Sequence, residues 1–234
     1  MKFKRIILFH INSLFNLFLP RVCLVCGKPI SASEKYICIS CVYEIPRTNF
    51  HKFKHNPVSQ VFWGRVMVES ATSLFMYNKD SQYSNLLYDL KYSGMKDLAR
   101  FLGARLGREL KSSDFFRDVD VVIPVPLHRR KKRIRGYNQA EWIVKGIIDV
   151  FPKEVNLDCL YRTSFTSTQT KKSKQERWKN VEGKFAVLHK DKIKNKHILL
   201  VDDVLTTGST IEACAHVLLA VEGVKISVAT LAKA

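Results

Sequence analysis

His197-Ile198-Leu199-Leu200-Val201-Asp202-Asp203-Val204-Leu205-Thr206-Thr207-Gly208-Ser209-Thr210 is the stretch whose reading decides the fold. Its apolar first half suits a parallel strand buried on both faces. Two adjacent carboxylates then end the apolar run. A Thr/Gly/Ser cluster follows, just ahead of a helix-like segment that begins near Ile211. Small hydroxyl residues around a glycine at such a junction leave backbone N–H groups aimed at an anion. The carboxylates of Asp202 and Asp203 can accept hydrogen bonds from neighbouring sugar hydroxyls. With Thr206, Thr207, Gly208, Ser209 and Thr210 beside that diol reader, the implied ligand is a phosphorylated ribose. The plainer alternative is a strand–turn–helix with two solvated acids, and a lone glycine turn would justify it. This string is far more restrictive than that.

The string resembles the ribose-phosphate signature of type I phosphoribosyltransferases, which bind phosphoribosyl pyrophosphate (PRPP). By that resemblance Asp202 and Asp203 hold the ribose 2- and 3-hydroxyls, and Thr206 to Thr210 cradle the 5-phosphate. One departure is informative. Purine-salvage members place a third acid where this chain has Thr206, and it serves as base for the incoming purine. Threonine cannot take a proton near neutral pH, so a reaction of that kind is disfavoured.

Outward from this stretch the chain alternates strand-like and helix-like segments. Residues 66–77 read as a strand or hairpin. Residues 81–91 read as a helix with Leu86, Leu87 and Leu90 on one face, closed by Gly94. A second helix over 96–111 buries Leu98, Phe101, Leu102, Leu106 and Leu110, and its Gly103 and Gly107 permit close packing. Residues 119–126 form the next strand, ended by Pro124 and Pro126, and a helix follows over 140–150. This order predicts an α/β fold, a doubly wound parallel sheet, with ligands outside the carboxyl ends of its strands. A basic loop over 127–135 should therefore share one crevice with Asp202 and Asp203. Its Arg129, Arg130, Lys131 and Arg135 are candidate contacts for pyrophosphate or nucleic acid. A polar, basic flap over 166–181 adds Lys171, Lys172 and Arg177, which could shield a departing pyrophosphate from water. A solvated charged surface is the alternative for either run alone.

Cys23-Leu24-Val25-Cys26 and Cys38-Ile39-Ser40-Cys41 are two C-x-x-C pairs. Each suits a tight knuckle, and Cys23, Cys26, Cys38 and Cys41 together offer the four thiolates of a structural zinc site. Two disulfides are the rival, disfavoured in a reducing cytosol. The module either binds nucleic acid or staples a segment too small to fold alone, and the second reading is preferred. Cys159 and Cys214 suit buried packing. His51 and His55, four residues apart, could share a metal, but their Lys/Asn/Pro-rich surroundings read as a solvated linker. The boundary is placed there, with a leader helix and zinc module over 1–60 and the sheet domain over 61–234.

The chain carries 39 Lys/Arg against 21 Asp/Glu, a formal charge of +18. A local phosphate pocket does not need so global an excess, which favours a polyanion such as nucleic acid or an anionic membrane surface. The apolar segment over 6–19 is too short and polar to span a bilayer and lacks a cleavage site. It reads as an amphipathic helix docking on the protein or a partner, and the chain is expected to be cytoplasmic with no transmembrane segment. No G-x-S-x-G elbow or G-x-x-x-x-G-K-[ST] loop is present, so hydrolase and helicase readings fail.

Taken together, the leader ending in Leu19-Pro20, the four cysteines, Leu90-Lys91-Tyr92-Ser93-Gly94, Ile123-Pro124-Val125-Pro126-Leu127, Arg135-Gly136-Tyr137-Asn138-Gln139, the flap with Gln169, Arg177, Asn180 and Val181, and the final signature resemble the ComF family over essentially the whole chain. The second half is also similar to the synthase half of glutamine PRPP amidotransferase, without its glutaminase half. The ComF resemblance implies a zinc-finger-like N-terminus on a type I phosphoribosyltransferase domain, and a link to DNA uptake in natural competence. Its implied partners are PRPP or ribose 5-phosphate, single-stranded DNA, and DNA-uptake or recombination machinery. Two functions stay open. One is a binding protein that keeps the pocket and handles single-stranded DNA. The other is an active phosphoribosyltransferase of unknown acceptor, with Mg²⁺ accompanying PRPP and Asp202 or Asp203 stabilising the sugar as C1 becomes oxocarbenium-like.

Overall fold

The computed structural model describes residues 21–163 and 184–234. The expected leader helix over 6–19 and the basic flap with Lys171, Lys172 and Arg177 lie outside the described residues. Five strands, β1 Ala71–Met76, β2 Val121–Pro124, β3 Glu154–Val155, β6 His197–Leu205 and β7 Lys225–Lys233, form one sheet. Their order is β1-β7-β6-β2-β3 and every pairing is parallel. Between β3 and β6 in the chain, β4 Leu160–Arg162 and β5 Phe185–Val187 make a separate antiparallel ribbon.

β6 is a central strand, and its apolar run explains why. Ile198 and Leu200 enter one buried cluster while Leu199 and Val201 enter the other, so the strand needs cover on both faces. The helices supply it. After α1 Ile39–Glu44 in the four-cysteine segment, α2 Ser84–Tyr92, α3 Lys96–Lys111 and α5 Gln139–Ile148 bury Leu86, Leu90, Leu98, Leu102, Leu106, Ile143 and Ile147 against one face. α6 Ser209–Leu219 buries Ile211, Cys214 and Leu218 against the other. The expected parallel sheet with helices on both sides is therefore present. Val201 pairs with Pro124, which brings the carboxyl ends of β2 and β6 side by side.

Two expectations need correction. The basic run is a short helix, α4 Arg129–Arg135, rather than a loop. Arginine and lysine are good helix formers. The run starts where His128 Nδ1 accepts a hydrogen bond from the Arg130 backbone N–H at 3.2 Å, and ends at Gly136 in the left-handed region. The second correction concerns residues 49–62, which are a packed strap and no solvated linker. His51 is buried, with Nδ1 3.1 Å from Glu109 Oε2, so it does not pair with His55. Asn56 donates to the Ala71 carbonyl and accepts from the Val58 and Ser59 N–H groups. Val58 and Phe62 anchor the strap in the core beside α6.

α3 and α5 approach closely enough that glycine is required at the crossing. A β-carbon at Gly146 would run into the Arg100 carbonyl and sit 2.7 Å from the Ala104 nitrogen. One at Gly103 would meet the Ile143 carbonyl oxygen. Both obstacles are backbone and cannot rotate away. Gly146→Ala should therefore destabilise the protein by about 1–3 kcal/mol, the usual cost of overpacking, although alanine is the better helix former. Chemical denaturation should show a lower midpoint at an unchanged m-value.

Candidate functional site

The crevice forms where β6 hands over to α6. The β6 ladder continues to Leu205, so both acids lie within the strand rather than beyond it. Gly208 then turns the chain, with φ of 77°, as the residue before α6. A β-carbon there would also sit 2.7 Å from Val61 Cγ1, so any side chain is excluded on two counts. Asp202, Val204 and residues 205–211 line a small hollow of about 40 Å³ over the helix N-terminus. The first N–H groups of a helix have no intrahelical partner and carry partial positive charge. Thr206, Thr207, Ser209 and Thr210 are exposed, and the Thr207 and Ser209 hydroxyls lie 3.0 Å apart. The Thr/Ser segment and Asp202 are thus brought together as expected.

Arg65 holds this turn from outside. Its Nη1 donates to the Thr207 carbonyl at 2.7 Å and to the Val61 carbonyl at 3.1 Å, and its Nη2 pairs with Glu212. A guanidinium spanning strap and loop fixes the carbonyl side of the turn and leaves the N–H side facing the hollow.

Successive residues of a strand point to opposite faces, and the two acids separate accordingly. Asp202 lies on the hollow's wall, and its Oδ1 accepts from the Asp203 N–H at 2.8 Å. Burial, and then the charge of Asp203, push the Asp202 carboxyl up to about 8. Asp203 turns toward α2, where Lys91 Nζ stands 3.6 Å from its Oδ2. Lys91 is held there by its neighbours. The Leu90 carbonyl accepts from the Tyr137 hydroxyl and from Gln139 Nε2 at 3.2 Å. Gln139 Oε1 accepts from Arg135 Nη1 at 3.0 Å, and Asn138 donates to the Val125 carbonyl at 3.0 Å. The segment 135–139 therefore ties the ends of α2, α4 and β2 around the acid pair.

Of the basic candidates, Arg135 reaches this rim, with its guanidinium 5.6 Å from the Tyr92 ring centre. Arg129, Arg130 and Lys131 lie exposed farther along α4. Sequence reasoning overlooked Lys91 and Arg65 as site residues. The Leu90-Lys91-Tyr92 string was a signal for the first, and nothing local marks the second.

At the other end of the chain, the sulfurs of Cys23, Cys26, Cys38 and Cys41 all lie within 4.8 Å of one another. The Cys26 and Cys38 sulfurs are 3.7 Å apart, and the Cys38 N–H points at Cys23 Sγ from 3.3 Å. A tetrahedral ion with Zn–S bonds of ~2.3 Å needs sulfurs just under ~4 Å apart. Burial opposes ionisation of Cys23, but N–H groups of Cys26, Cys38 and Val25 outweigh it and hold the thiol at about 6. Burial and the neighbouring sulfurs raise Cys41. Four thiolates this close repel one another, and a divalent cation at their centre would offset that repulsion. The set could hold zinc. Cys23, Val25, Ile37 and Cys41 share a buried cluster with Leu98 and Leu102, so the knuckles are packed on the domain. Cys159 and Cys214 are fully buried, as expected of packing residues. None of the described helices is long and apolar enough to cross a membrane.

Residues 138–234 match the phosphoribosyl transferase domain family. The chain is 25% identical over 206 residues to the DNA utilization protein YhgH of Escherichia coli, covering 85% of this chain and 84% of that protein. It is 32% identical over 137 residues to Competence protein F of Haemophilus influenzae, covering 56% of this chain and 58% of that one. Among solved structures, the glutamine PRPP amidotransferase of B. subtilis aligns with 17% identity and a TM-score of 0.42, over 61% of this chain and 30% of that one.

The raised Asp202 carboxyl makes stability depend on pH. Between the unfolded value of 3.8 and about 8 the folded form holds the extra proton, so stability falls as pH rises through that window. Asp202→Asn removes the effect. Near pH 9 the variant should be more stable than wild type by about 1–3 kcal/mol, and near pH 4 the two should converge. Denaturant titrations at the two pH values check this.

Proposed function

We propose that this chain, a ComF-like protein built on the phosphoribosyltransferase fold, binds PRPP or a ribose 5-phosphate group and handles single-stranded DNA. The observation that carries the reading is the β6–α6 junction, where two carboxylates sit directly beside a glycine-turned Thr/Ser loop. In this assignment Thr206, Thr207, Gly208, Ser209 and Thr210 take the 5-phosphate on backbone N–H and hydroxyl donors. Asp202 and Asp203 accept from the ribose hydroxyls, and Mg²⁺ accompanies PRPP. Lys91, Arg135 and the basic row of α4 lie on the side where the pyrophosphate emerges.

In this assignment the four-cysteine segment ahead of the strap holds the metal, and the strap over 49–62 belongs with the ligand-binding body. Zinc on Cys23, Cys26, Cys38 and Cys41 acts as a structural staple. Four ligands leave no open coordination position for chemistry.

DNA handling is supported by the formal charge of +18, more than a pocket of about 40 Å³ needs, and by the names of the relatives. Turnover as a phosphoribosyltransferase is the second reading, favoured by the intact acid pair with Lys91 at 3.6 Å. Asp202 or Asp203 would then stabilise positive charge developing at C1. Arg129, Arg130 and Lys131, with Lys171, Lys172 and Arg177, would meet the pyrophosphate.

Ligand protection tests the pocket. PRPP with Mg²⁺, or ribose 5-phosphate, at about a hundred times its Kd should stabilise the protein by about 2.7 kcal/mol. That is a rise in Tm of roughly 5–10 °C for a chain of this size, abolished in Asp203→Asn. Absence of protection by either compound in wild type overturns the pocket assignment. Salt tests the DNA arm. If about five phosphates of a single strand are neutralised, the log–log slope is about −3.5, and affinity falls about 100-fold between roughly 50 and 200 mM salt. A flat response excludes it.

A further inference from the structure

Tyr88 and Tyr92 stand one turn apart on α2, and both are more than 60% exposed: 61% and 64%. Their ring centres are 4.9 Å apart with planes tilted by 40°. Folding of the chain gives no reason for this pair, since α2 already buries Leu86, Leu87 and Leu90 on its inner face. Two large rings side by side in water are an unspent contact surface.

Their surroundings say what the surface meets. The Arg135 guanidinium lies over Tyr92, and its Nη1 is fixed on Gln139. Arg135 ends α4, whose other cations are Arg129, Arg130, Lys131, Lys132 and Arg133. Lys132 pairs with Glu141 at 2.9 Å. Among the described residues, Arg129, Arg130, Lys131 and Arg133 have no carboxylate within salt-bridge distance. Exposed aromatic rings therefore lie next to a row of unneutralised cations. Unpaired bases stack on the first and phosphates pair with the second, which is the composition of a single-strand groove. A duplex hides its base faces, and an acidic peptide would answer the cations but leave the rings unused.

The platform adjoins the pocket without being part of it. Lys91, between the two tyrosines in sequence, reaches Asp203. Deoxyribose has no 2-hydroxyl, so DNA offers the acid pair no diol to read, and its phosphodiesters are repelled by the charge of Asp203. A DNA strand is thus kept on the rim.

We infer that Tyr88 and Tyr92 are a base-stacking platform for single-stranded DNA whose phosphates run along α4. This rests on the proposed handling of single strands and goes further by naming the residues and the mode of contact.

The test is anisotropy of a labelled mixed-sequence oligodeoxynucleotide with the full chain over a series of salt concentrations. The double variant Tyr88→Ala/Tyr92→Ala should lose roughly 10- to 100-fold in affinity at every salt concentration. Its log–log slope should match wild type, because no phosphate contact has been removed. Tyr88→Phe/Tyr92→Phe keeps the π faces and should stay within about twofold of wild type. Arg129→Ala/Arg130→Ala should instead flatten the slope by about 0.7 per cation. Protection by PRPP should be the same in the double alanine variant as in wild type. Wild-type affinity in the alanine variant overturns the inference, and so does an equal loss on blunt duplex or a loss of PRPP protection alongside. If wild type binds no oligonucleotide, the proposed DNA handling falls as well. If PRPP gives no protection while the tyrosine effect is seen, only the pocket assignment falls.

Discussion

β6 has to be buried on both faces and still carry two carboxylates beyond its buried run, and the rest of the structure follows from that conflict. Ile198 to Val201 are fully buried, and the next residue is an acid. The strand cannot place those four side chains without carrying Asp202 to the edge of the apolar interior. Full burial of such residues contributes about 1.5–3 kcal/mol each, which outweighs the cost of one raised carboxyl at the strand's end. Asp202 is thus held in an environment that only the fold as a whole can sustain. Groups perturbed by burial and a like charge at a cleft are where function is expected.

The elements around the acid pair are tied together largely through backbone carbonyls. The Leu90 carbonyl takes Tyr137 and Gln139, the Val125 carbonyl takes Asn138, and the Thr207 carbonyl takes Arg65. Each bond fixes the end of an element that borders the crevice. The close crossing of α3 and α5, through Gly103 and Gly146, sets the depth of the layer from which Asn138 and Gln139 project. Lys91 then reaches Asp203 as a consequence of placement, and the exposed cations of α4 are left with charge to offer.

What could be read from the sequence was what is encoded over short range. The β6–α6 junction is a contiguous string of strand, acids, glycine turn and helix, and the structure keeps each part in that order. The cysteine pairs were legible because two knuckles need only local backbone to bring their sulfurs together, and the structure gathers all four. Gly103 stood out because a glycine inside an apolar helix face has few uses besides close approach. Arg65 was invisible because its partner Thr207 is 142 residues away and neither segment announces the other. The strap over 49–62 was misread because its lysines, histidines and asparagines outnumber Phe50, Val58 and Phe62, the residues that dock it. A seven-residue basic run carries too little periodicity to show as a helix. The informative signals for α4 were the flanking His128 and Gly136.

In the proposed reading, two kinds of anion recognition meet at one edge of the sheet, and they differ physically. The hollow over α6 uses fixed backbone dipoles, which suit a small phosphate of defined geometry and are little affected by salt once it is bound. The outer rim uses long, exposed arginine and lysine side chains, whose contacts to a polyanion are screened and salt-sensitive. Asp202 and Asp203 stand between the two, and in that reading the charge of Asp203 repels a phosphodiester chain while both acids accept from a diol. Under the proposed function, such a barrier would let a strongly basic chain keep a ribose-phosphate pocket free of nucleic acid. The same two strand positions would thus serve both ligands, by hydrogen bonding to one and, through Asp203, exclusion of the other.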